Sequence, residues 1–276
     1  MRLGYNTNGL AHHRILDAID LLADEGYESI AITLDAGVLD PYDDPDTLAR
    51  QVRQVRSALD RHGLTRVVET GARFLLNPRL KHDPTLMDED PLRREDRADF
   101  LKRSIDLADA LGAEAVSFWS GRSAASLGED EGMDRLADAL QSVLRHAERT
   151  NMPLAFEPEP GMFVDTLARF ARLDEQVRHP LFDLTIDIGH LHCLQEGEIP
   201  TLLRGWETRV RNIHIEDILP GVHEHLMFGE GTIEFAPIFD ALRSMHYERG
   251  VHVELSRHSH KAVEAVRAAA AFLRPL

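Results

Sequence analysis

A helix, a glycine and a short apolar strand recur along this chain, and that repeat narrows the possible folds more than any other feature. Ile15, Ile19 and Leu22 share one helical face, Gly26 follows, and Ser29 to Leu34 reads as a strand. Leu48, Val52, Val55 and Leu59 repeat the face before Gly63 and a strand from Arg66 to Glu69. Leu101, Ile105, Ala108 and Leu111 lead through Gly112 to Ala115–Trp119, and Leu136, Leu140, Val143 and Ala147 lead through Asn151 to Leu154–Glu157. Gly250 precedes Val251–Glu254, and Ala262, Val266, Ala269 and Leu273 form a closing helix. Apolar residues three and four apart mark a buried helical face, and a left-handed Gly or Asn turns the chain out of the helix.

With Arg2–Tyr5, Leu184–Asp187 and Val210–His214 added, eight strands alternate with helices. Such alternation predicts a parallel sheet, and eight units predict a closed (β/α)8 barrel, a TIM barrel, as one domain over residues 1–276. An open doubly wound sheet is the rival, but no glycine-rich phosphate turn follows the first strand. The irregular stretch at about 71–94, rich in Pro, Asp and Arg, reads as a lid or a disordered segment.

Acids and histidines fall at the downstream ends of the four last strands: Glu157, Asp187, His214 and Glu254. In a parallel barrel those ends share one face, where catalysis sits. Parity adds a second argument, because side chains alternate along a strand. Asp183, Thr185 and Asp187 oppose Leu184 and Ile186; Asn212 and His214 oppose Ile213 and Ile215; His252 and Glu254 oppose Val251 and Val253. The apolar face belongs against the outer helices, so the polar face points into the barrel. Such an inward polar set is costly unless a metal or a hydrogen-bond network satisfies it. Any one of these residues alone would read as a solvated strand end. Together they predict a site for one divalent cation, and carboxylates with an imidazole suit Mn, Co, Mg or Zn alike.

Bulk properties exclude several classes. The formal charge of −16 argues against a broad grip on nucleic acid. Cys193 is the only cysteine, so neither an intrachain disulfide nor a thiolate zinc cluster can form. The first residues hold no apolar signal segment and no run reaches membrane-spanning length, so a cytoplasmic address without membrane association is expected.

Glu157 in Phe156-Glu-Pro-Glu-Pro-Gly161, Asp187 and His190 in Asp187-Ile-Gly-His190, His214 in Ile213-His-Ile-Glu-Asp217, and Glu254 in Val253-Glu-Leu255 give the chain its likeness. It resembles the xylose isomerase-like TIM-barrel superfamily, which holds sugar isomerases, ketose 3-epimerases, inosose-processing enzymes and the endonuclease IV group (AP endonuclease family 2). The resemblance covers essentially the whole barrel. It implies that Glu157, Asp187, His214 and Glu254 bind the cation, and that Glu157 and Glu254 serve as acid and base on a sugar or cyclitol. It implies a substrate-contacting role for His190 and a homo-oligomer. The segment Gly221–Gly231 resembles a loop of the endonuclease branch that supplies ligands to further zinc ions. There His225 matches a histidine ligand, while His223 replaces an aspartate, so a second metal is possible. Trp119 stands where that branch has a zinc-binding histidine, and the third strand ends in Glu69 rather than another. His223, His225, Trp119 and Glu69 are therefore expected to line a sugar pocket. Arg257, three residues past Glu254, is the candidate partner for a substrate phosphate or carboxylate.

The resulting expectation is an isomerase or epimerase that moves a proton through an enediolate. The alternatives are a metal-dependent phosphodiesterase of the endonuclease type, a cyclitol dehydratase, and a non-catalytic sugar-binding barrel.

Overall fold

The computed structural model describes residues 1–124 and 126–276. Eight parallel strands close into a barrel in chain order: β1 (Arg2–Asn6), β2 (Ser29–Thr33), β3 (Thr65–Glu69), β4 (Val116–Phe118), β5 (Leu154–Phe156), β6 (Phe182–Asp187), β7 (Val210–Ile215) and β10 (Gly250–Val253). The last strand pairs with the first, Val251 opposite Leu3, so the sheet has no free edge. The intervening helices are α1 (Ile15–Asp24), α2 (Pro45–His62), α3 (Pro91–Leu111), α4 (Glu129–Ala147), α5 (Leu167–Val177), α6 (Ile188–Cys193), α7 (Ile199–Gly205), α8 (Phe235–Ser244) and α9 (Ala262–Leu273). Gly63 and Gly112 close α2 and α3 in the left-handed conformation (φ 66° and 71°). None of the helices among the described residues is long and apolar enough to cross a membrane.

Two apolar regions result. The large one lies between strands and helices; a small one, Ala31, Val67, Ala115 and Ala155, lies inside the barrel. Small residues on β2 to β5 leave the interior for polar side chains from the later strands. Thr185 meets Ser117 across it (3.0 Å). The His252 ring takes the room that side chains at residues 4 and 250 would fill: a Cβ on Gly4 would lie 2.3 Å from His252 Cδ2, and one on Gly250 2.3 Å from Cε1. His252 Nδ1 bonds Asn212 Oδ1 (2.8 Å) and Nε2 bonds Ser29 Oγ (2.9 Å), so the buried imidazole is satisfied.

Three details depart from the sequence reading. Strands β5 and β10 stop one residue early, placing Glu157 and Glu254 just past the sheet. Helix α3 begins at Pro91, capped by Asp90, whose carboxylate accepts from Leu92 N (2.9 Å); the irregular stretch therefore ends earlier than residue 94. The segment after β7 is not a plain loop. It forms an antiparallel hairpin, β8 (Asp217–Leu219) and β9 (Val222–Leu226), turned at Gly221.

Candidate metal centre

The four strand-end residues come together. Glu157, Asp187, His214 and Glu254 each offer a donor atom, and all four atoms lie within 4.8 Å of one another. His214 arrives on the inward face of β7, where it pairs with Asp187 of β6 on one side and His252 of β10 on the other. Its Nδ1 faces Glu157 Oε1 (3.0 Å) and Glu254 Oε2 (2.9 Å). One imidazole proton serves only one of those oxygens. Asp187 caps α6 by accepting from His190 N (2.9 Å), while its other oxygen, Oδ2, is buried without a hydrogen-bond partner. A shared imidazole nitrogen, two converging carboxylates and a buried carboxylate oxygen without a partner make a donor set that fits a divalent ion.

Neighbouring groups orient this cluster. Glu69 Oε1 accepts from His214 Nε2 (2.9 Å) and from Asn212 Nδ2 (2.9 Å), which leaves His214 Nδ1 toward the cluster. Asn8 Nδ2, from the turn after β1, donates to Glu254 Oε1 (2.6 Å). Asn6 Oδ1 accepts from Thr33 Oγ1 (2.8 Å) and caps that turn at Asn8 N. Asp217 staples the hairpin to the Gly229–Gly231 loop, accepting from Gly229 N (2.8 Å) and Ile233 N (3.1 Å). Glu216 is buried against Gly189 with neither carboxylate oxygen hydrogen-bonded.

The electrostatics are uneven. Burial pushes the Glu157 carboxyl well above the usual range, against the pull of His214. Burial also acts on Glu254, but His214 outweighs it and holds that carboxyl low. Burial disfavours the His214 cation, yet Glu69, Glu157 and Glu254 prevail and raise it. Burial keeps His190 neutral, down to about 4.

A second cluster adjoins the first. His223 and His225 sit on β9 and reach His190: Nε2 of His190 lies 3.0 Å from that of His223, which lies 3.4 Å from that of His225. All three offer donor atoms within 4.8 Å of one another. His190 Nε2 is also 3.5 Å from Asp187 Oδ2.

His190, His223 and His225, with Glu157, His214 and Glu254, line a cavity of about 330 Å³ at the downstream end of the barrel, together with Glu69, Trp119, Glu159 and Arg257. Trp119 is backed by the buried Arg97 guanidinium, 4.8 Å from its ring centre, and His82 meets it edge-on at 5.4 Å. Arg97 donates to Thr70 O (2.7 Å). No local sequence signal marks Arg97 as part of this site, and strand parity shows Asn212 facing inward without showing its bond to Glu69, because those partners are remote in the chain. Glu69 reaches the cavity with its Oε1 already engaged by His214 and Asn212. Arg257 forms an ion pair with Glu224.

A TIM barrel with carboxylates and a histidine gathered at its downstream mouth, able to hold a metal ion, narrows the class of protein. The chain belongs to the xylose isomerase-like TIM barrel family, whose model matches residues 19–276. Among curated relatives, a putative L-ribulose-5-phosphate 3-epimerase SgbU of Escherichia coli K12 is 27% identical over 169 residues, 59% of this chain and 58% of the relative's length. L-ribulose-5-phosphate 3-epimerase UlaE of Escherichia coli O17:K52:H18 is 23% identical over 235 residues, covering 84% and 78%. Over the first of these the chain thus spans less than two thirds of the relative. Among solved structures, the 3-keto-D-glucoside 4-epimerase YcjR of E. coli superposes with a TM-score of 0.80 at 18% identity over 100% of both chains. A zinc-bound IolI protein gives 0.77 at 19% identity, covering 98% and 95%.

Proposed function

We propose that the protein is a divalent-metal-dependent epimerase or isomerase acting on a ketose, a cyclitol ketone or a related polyol. The observation that carries this reading is the meeting of two carboxylates, Glu157 and Glu254, at His214 Nδ1 from strands three places apart in the barrel ring. Two positioned carboxyl groups on one substrate carbon are what removal and return of a proton require. The activities named for SgbU, UlaE and YcjR support the same reaction class.

Glu157, Asp187, His214 and Glu254 would hold the cation, which when bound supplies positive charge against the enediolate that forms as the α-proton leaves. Either glutamate takes that proton, and its counterpart returns one to the opposite face or to the neighbouring carbon. Asn8 fixes Glu254 through its amide, and Glu69 fixes His214. Trp119 covers an apolar face of the sugar ring or chain. His190 and His223 reach its hydroxyls, and the hairpin that bears His223 and His225 walls the cavity against water.

Incubation of the metal-loaded protein with a ketose panel in D₂O tests this reading. Deuterium is expected at the carbon beside the carbonyl, dependent on added metal; turnover without solvent exchange would reject the proton-transfer mechanism.

A second reading has one observation in its favour. The three Nε2 atoms of His190, His223 and His225 form a compact donor set, suited to a second cation and so to hydrolysis of a phosphodiester. Two metal ions per chain, with cleavage of an abasic-site oligonucleotide and no carbon exchange, would favour it. The acidity of the chain and Trp119 in the wall speak for the sugar.

A further inference from the structure

Resting on the epimerase reading, we infer that the substrate's far end is uncharged: this pocket takes a free ketose or polyol rather than its phosphate ester. Five carboxylates line the cavity, Glu69, Glu157, Glu159, Glu224 and Glu254, against three permanently cationic side chains, Arg73, Lys81 and Arg257. Two of those cations are already committed. Arg73 Nε lies 2.6 Å from Asp35 Oδ2, and Arg257 pairs with Glu224 across the mouth. Lys81 alone, among the described residues of the lining, forms no ion pair, and it is solvent-exposed.

The neutral groups add no anion site. His82 reaches the cavity but is held neutral by burial, its pKa pushed down to about 4. His190, in the first turn of α6, lines the cavity, and a helix N-terminus ordinarily attracts phosphate. Here Asp187 occupies that end with its own carboxylate, accepting from His190 N.

A phosphate monoester carries about −1.5 to −2 charges at neutral pH and is held by several charge-assisted donors. With Glu224 and Arg257 set aside as a pair, one exposed lysine remains to hold that charge in a cavity also lined by Glu69, Glu157, Glu159 and Glu254. The remaining lining is suited to hydroxyls: Asn6, Thr33, Thr70 and Ser117 are neutral hydrogen-bonding groups. At about 330 Å³ the cavity is also at the small end of ligand pockets, which run from roughly 300 to 1,000 Å³.

Calorimetric titration of the metal-loaded protein with ribitol and with ribitol 5-phosphate, at one ionic strength, tests this without relying on turnover. The expected result is at least tenfold weaker binding of the phosphate ester. Glu224→Ala, which releases Arg257, is expected to narrow that gap severalfold. Equal or tighter binding of ribitol 5-phosphate by the unaltered protein overturns the inference and leaves the epimerase reading standing. Binding of neither compound overturns the inference and the polyol pocket together, and solvent exchange on the ketose panel then decides separately whether the proton chemistry survives.

Discussion

Glu69 Oε1 stands 2.9 Å from His214 Nε2, on the side of the ring away from Glu157 and Glu254. The two residues are 145 positions apart in sequence. A carboxylate behind a metal-binding imidazole fixes its orientation and raises its basicity. Glu69→Gln is expected to weaken divalent-metal binding by roughly 10–100-fold. Metal titration of the apo protein checks this, and circular dichroism establishes that the barrel is retained. Unchanged affinity would leave Glu69 a pocket wall only.

Glu157→Gln and Glu254→Gln each keep the shape and a hydrogen-bonding oxygen while removing the proton-accepting charge. Either change is expected to lower solvent deuterium incorporation by about 10²–10⁴-fold, the usual contribution of a positioned acid or base. Proton NMR of the product reads it directly. If one variant exchanged at the normal rate, that glutamate would have no proton-transfer role.

Gly4→Ala is expected to unfold or severely destabilise the protein, because its Cβ would press on the His252 ring at 2.3 Å and the ring is held by Asn212 and Ser29. Overpacking of this kind costs about 1–3 kcal/mol, and more where neighbours are fixed. Urea unfolding gives the measurement. A midpoint matching that of the unaltered protein would mean that the interior is looser than its hydrogen bonds indicate.

His82 carries a pH signature. Burial lowers its pKa from 6.5 to about 4, so the folded state keeps it neutral where the unfolded chain takes up a proton. Stability from this group is complete above pH 6.5 and falls as the pH drops toward 4, below which it levels off. The full loss is of order 3 kcal/mol, given about 1.4 kcal/mol per pKa unit. An NMR titration should find the His82 ring neutral at pH 5. In His82→Asn the corresponding part of the stability change between pH 7 and 4 should vanish.

What the sequence disclosed, and what it hid, follows from the range of the interactions concerned. Helix faces, left-handed caps and strand parity are local, so the barrel and the inward direction of Asp187, Asn212 and His214 could be read from neighbours a few positions away. The convergence of Glu157, Asp187, His214 and Glu254 followed from topology, since parallel strand ends share one mouth. The hairpin of β8 and β9 escaped because Val222-His-Glu-His-Leu226 is short, largely polar and partly exposed, and it buries too little to show an apolar period. Arg257 stands near the mouth as its place in the chain suggests, but only coordinates reveal Glu224 beside it. Arg97 behind Trp119, Asn212 on Glu69 and Asn8 on Glu254 depend on contacts between distant segments, which no window of sequence contains.

Asn8 and Glu254 join the first loop of the barrel to the residue after its last strand. The amide that steadies the carboxylate comes from the first loop, and the carboxylate follows the final strand, 246 residues later. A fragment that lacks the last strand and Glu254 therefore lacks half of this contact. If Glu254 moves the proton as proposed, closure of the barrel by its last strand against its first is a precondition of turnover.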